Sequence, residues 1–131
     1  MILMKVNRFE DLEIWSLARE LYKRVFKLTS REPFCNDFRF RDQMRNSAGS
    51  VSDNIAEGFE RGGNKEFVQF LWVAKGSCGE TRCQSYRAFD SDYITDEELK
   101  ELLERTDLIS RKTANLIKSI KSSERKGIKY E

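Results

Sequence analysis

Leu99, Leu102, Thr106, Ile109, Thr113, Leu116 and Ile120 recur by alternating steps of three and four without interruption. That period is the seam of a helix packing at a shallow angle on its neighbours, and it excludes a strand over the same residues. TDEE opens the segment as a capping box. Thr95 accepts from the amide of Glu98 while the Glu98 carboxylate reaches back.

Three further helices are read the same way. From about 9 to 29 the residues Leu12, Trp15, Ala18, Tyr22 and Val25 form the stripe, widened by Ile14, Leu17, Leu21 and Leu28. Pro33 breaks it and biases Glu32 away from the helical region. From 40 to 60, Met44, Ala48, Val51, Ile55 and Phe59 share a line that stops where Gly62 and Gly63 supply positive φ. Asn64 is then the expected N-cap of a helix over 65–89, whose inner face carries Phe67, Leu71, Ala74, Cys78, Thr81, Ser85 and Ala88 or Phe89. The last helix is expected over 95–121, with residues 122–131 a fraying tail. Short loops between long helices place neighbours antiparallel, so the expected fold is all-α, a single domain over 1–131 built as an up-down-up-down four-helix bundle.

Charge excludes little by its total, which is +2, but much by its distribution. Between Asp90 and Asp107 eight carboxylates oppose two cations, whereas between Arg111 and Lys129 seven cations oppose only Glu124. The chain has no histidine, and Cys35, Cys78 and Cys83 fit no zinc spacing, so no metal or other cofactor is expected. Cys78 and Cys83 fall on different faces and are expected to be packed thiols. No run reaches the length of a membrane span and MILMKVNRF is too short for a signal peptide, which points to a cytoplasmic protein.

The second helix carries a polar line beside its apolar one: Gln43, Ser47, Ser50, Asn54 and Glu57. Val73, Ser77, Glu80 and Gln84 make a similar flank on the third, so two polar seams are expected to meet. Glu57 and Glu80 read as members of a satisfied network that fixes register, since no histidine or activated nucleophile accompanies them for proton chemistry. No enzymatic activity is expected.

Trp72, Gly76, Gly79, Cys83 and Tyr86 line the opposite side of the third helix. Two interior glycines each cost about 1 kcal/mol relative to alanine, and with apolar residues almost all round the helix reads as buried on both sides. The expected cover is another copy of the chain. Arg39, Arg41 and Arg45, with Arg111, Lys112, Lys118 and Lys121, are the candidate contacts to RNA or DNA, sequence-independent and salt-sensitive, against the plainer reading of solvated helix faces.

QMRNSAGSVSDNIAEG followed by KEFVQFLWVAKGSCGE resembles the bacterial four-helix-bundle proteins encoded in intervening sequences of 23S rRNA genes, and FEDLEIWSLAREL fits as well. The resemblance implies a ring-like homopentamer with no enzymatic activity. It also brings in a relative, the accessory variability determinant of diversity-generating retroelements, which binds nucleic acid and a reverse transcriptase. Asn46 stands where that pattern usually has a second arginine, Ser47 where it has alanine, Gly49 where it has a larger aliphatic residue, and Ser52 where it has proline.

Overall fold

The computed structural model describes residues 6–125. It contains four α-helices, α1 Glu13–Thr29, α2 Phe38–Glu60, α3 Asn64–Asp90 and α4 Asp96–Arg125, and no strand among the described residues. Short 3₁₀ turns at Phe9–Asp11 and Phe34–Asn36 precede α1 and α2.

The boundaries follow from local chemistry. α2 starts two residues earlier than the periodicity indicates because the Asp37 carboxylate accepts the amide of Phe40 at 3.3 Å and caps the end. It stops where Gly62 enters the left-handed region at φ +85°, which glycine adopts without strain. Gly63 is extended at φ −108° and is itself the N-cap of α3, so the expected positive φ at Gly63 and the expected cap at Asn64 are both corrected. Asn64 is the first residue of the helix. The TDEE box forms as read: Thr95 N donates to Glu98 Oε1 at 2.9 Å and Glu98 N to Thr95 Oγ1 at 3.1 Å. α4 runs on to Arg125, past the expected end at 121, so 122–125 are helical; residues 126–131 of the expected tail lie outside the described residues.

One core joins all four helices, with Leu21 and Val25 from α1, Met44 and Val51 from α2, Leu71 and Cys78 from α3, and Leu102 and Ile109 from α4. Two stripes depart from expectation in part. On α1 Leu12, Ala18 and Val25 are buried as expected, together with Ile14, Leu21 and Leu28, while Trp15, Leu17 and Tyr22 are only partly buried. On α4 Ile117 replaces Leu116. A strict seven-residue repeat drifts by roughly 20° per heptad on a straight helix, and the four-residue step from Thr113 to Ile117 returns the side chain to the core line.

Each helix touches the next in sequence, α2 with α3 most extensively, and α1 also meets α4. Ser47 meets Thr81 and Ser50 meets Ser77 between α2 and α3. Cys78 meets Thr106 and Arg82 meets Leu103 between α3 and α4. Glu13 pairs with Lys112, and Arg24 with Glu101, between α1 and α4. The segment between α1 and α2, read from sequence only as a break around Pro33, contributes to the core. Its Phe34 is fully buried, stacked on Phe40 at 5.2 Å and on Tyr93 at 4.7 Å, and Tyr93 Oη donates to Asp37 Oδ2 at 2.8 Å.

Candidate interaction surfaces

The polar seam between α2 and α3 exists, centred deeper than the sequence places it. Ser47 Oγ lies 2.9 Å from Thr81 Oγ1 and donates to Gln84 Oε1 at 2.5 Å, all three side chains being buried. Ser50 Oγ and Ser77 Oγ lie 3.0 Å apart at the next turn. Asn54 does not cross; its Nδ2 donates to Ser50 O and Oγ at 2.7 and 2.8 Å and thereby orients the serine. Glu57 is corrected: its side chain is 54% exposed and pairs with Arg61 of its own helix at 2.9 Å. Glu80 is exposed too, and accepts from Gln84 Nε2 at 3.5 Å. Gln43 stays at the exposed rim of a groove, about 580 Å³, that the seam floors. Two solvated carboxylates on separate helices need no buried partner. The Ser47, Thr81 and Gln84 cluster was readable only as an overlap, because Ser47 and Gln84 belong to the polar lines and Thr81 to the apolar stripe.

On the outer face of α3, Trp72 and Tyr86 are 49 and 46% exposed. Gly76, Gly79 and Cys83 lie open between them, and a Cβ at either glycine would meet nothing within 4 Å. Within one chain this side is uncovered. Lys121 lies with its ammonium 5.8 Å from the Trp72 ring.

The candidate cations divide by what already holds them. Arg111 pairs with Asp107 at 2.8 Å, Lys112 with Glu13 at 3.1 Å, and Arg41 with Asp42 at 2.9 Å. Arg45 is held against α1, its Nε and Nη2 donating to Thr29 Oγ1 and Ser30 Oγ at 2.8 and 3.0 Å and its guanidinium 4.3 Å over Phe26. Arg39, Lys118 and Lys121 are exposed. The structure does not gather these seven into one patch. It does bring Arg45 together with Arg19 and Lys23, two α1 cations the sequence reading passed over, along a groove between α1 and α2. Their signal was the interleaving of Arg19 and Lys23 with Tyr22 and Phe26.

Burial pushes the Cys78 pKa up to about 11, and its Sγ lies 3.2 Å from Thr106 O. No group of three or more carboxylates and cysteines is placed to hold a metal among the described residues. No described helix is long and apolar enough to cross a membrane.

These features define an all-helical protein of four helices whose distinctive parts are surfaces. A model of the 23S rRNA-intervening sequence protein family matches residues 10–115, and the chain belongs to that family. Among solved structures it is similar to a protein of unknown function from the S23 ribosomal protein family of Bacteroides thetaiotaomicron VPI-5482, with 21% identity and a TM-score of 0.73, covering 80% of this chain and 98% of that one. At that identity the likeness concerns the fold alone. No curated protein matches.

Proposed function

We propose that this protein is a non-enzymatic, cytoplasmic scaffold subunit, an antiparallel up-down-up-down four-helix bundle that assembles into a ring-like homo-oligomer, a pentamer. The observation that carries the reading is the outer face of α3, where Trp72 and Tyr86 stand half-exposed around Gly76 and Gly79. Large aromatics flanking a notch without side chains suit close approach of a second backbone. The order of the helix contacts supports the antiparallel path, since partners ascend on one helix as they descend on the next. Light scattering tests the assembly. A pentamer is expected at micromolar concentration, and a monomer there overturns it. Gly76→Leu or Gly79→Leu is expected to split the oligomer with helicity retained, because a Cβ at either position meets nothing within 4 Å in the chain itself.

A second reading is a nucleic-acid-binding accessory protein, with RNA, DNA or a reverse transcriptase as partner. The specific observation favouring it is the set of cations beside Tyr22 between α1 and α2. Titration with RNA and DNA across salt decides it, and no binding at low salt removes it.

A further inference from the structure

The groove between α1 and α2, about 480 Å³, has an uneven lining. Arg19, Lys23 and Arg45 bring three cations and Asp53 brings an anion. The ion pair of Lys23 with Glu20, at 3.3 Å, is exposed on both sides and worth little, so it does not withhold the lysine. Arg45 is different: two of its guanidinium nitrogens are bound to α1 and its face rests on Phe26, which fixes its position along the groove. Tyr22 lies between the cations, 6.1 Å from Phe26, and its ring covers Gly49, where a Cβ would be 3.6 Å away. The glycine keeps the floor low. Cations interleaved with aromatic rings are what an unpaired strand needs, charge along its phosphates and a flat apolar surface for a base. A duplex keeps its bases stacked inside and has no use for Tyr22.

We infer that the α1–α2 groove binds single-stranded nucleic acid, with phosphates on Arg19, Lys23 and Arg45 and a base against Tyr22. This rests on the second reading above and gives it a place different from the basic C-terminal run.

The test is a fluorescence-anisotropy titration of the full chain with a labelled oligothymidylate of about 12 nucleotides at several salt concentrations. Arg19→Gln/Lys23→Gln, with helicity checked by circular dichroism, is expected to weaken binding at least about tenfold at low salt and to flatten the log–log salt slope by about 1.4, two single-strand phosphate contacts. Asp53→Asn is expected to tighten binding, a gain that a damaged fold does not produce. Wild-type binding unchanged in affinity and slope by these variants overturns the groove while leaving nucleic-acid binding standing; no binding by wild type at low salt overturns both. Equal affinity for a duplex of the same length, or full displacement by thymidine monophosphate at the same nucleotide concentration, overturns the single-strand assignment.

Discussion

The backbone of Gly58 on α2 packs so closely on Phe70 of α3 that a Cβ at Gly58 would overlap the Phe70 Cβ. Phe67 closes the same spot from one turn earlier, its ring 3.3 Å from that Cβ position. This contact sets how near α2 and α3 approach at the end by their turn. Gly58→Ala is therefore expected to destabilise the protein by about 1–3 kcal/mol, the cost of overpacking a filled site. Gly49→Ala, on the same helix, meets only the Tyr22 ring at an ordinary 3.6 Å and is expected to stabilise by about 0.5–1 kcal/mol through helix propensity. Urea unfolding of the two variants beside wild type reads the opposite signs.

Glu98 sets an acid limit on stability. Its carboxylate takes Arg31 at 2.5 and 2.8 Å and the Thr95 amide at 2.9 Å. The Arg31 hydrogen bond, with help from the cap, lowers its pKa from 4.5 to about 2. At Glu101 burial works upward, but Arg105 and Arg24 outweigh it and the net shift is down. A carboxylate with a lowered folded pKa contributes stability that is present above the unfolded value and lost as pH falls through the folded one. Glu98→Gln is thus expected to cost about 2 kcal/mol at neutral pH. The gap to wild type should close between pH 4.5 and about 2 in chemical denaturation at stepped pH, and a gap that persists at pH 2 counts against the assignment.

Thr113 is fully buried, and its Oγ1 has no hydrogen-bond partner. Thr113→Val keeps the shape and removes the unpaired hydroxyl. A gain of about 1 kcal/mol in stability is expected from thermal unfolding.

The two α3 cysteines should separate cleanly under a thiol reagent. Cys83 is exposed, whereas Cys78 is fully buried with its pKa raised to about 11. Cys78 is expected to be modified only after unfolding, and Cys83 quickly only once Gly76→Leu has split the oligomer, as mass spectrometry of a timed reaction resolves.

The four helices were legible because each long segment keeps one unbroken period and α4 carries its own start signal in Thr95 and Glu98. What escaped depends on angle and depth. The choice between Leu116 and Ile117 turns on the accumulated phase of a straight helix, which a pattern of threes and fours does not state. Glu57 and Ser50 share a polar line, yet the long carboxylate turns out to Arg61 while the short serine must face Ser77. Phe34 has no periodicity around it, so its burial was invisible. Arg19 and Lys23 look like any solvated helix face until α2 brings Arg45 beside them.

Phe34, in a triangle of rings with Phe40 and Tyr93, makes the connection between α1 and α2 unequal to that between α2 and α3 as a place to splice in foreign sequence. An epitope or fluorescent module inserted beside Phe34 would pull a filled aromatic cluster apart. The tight turn at Gly62 is exposed and has open space about its Cα, so cargo carried there leaves the core untouched.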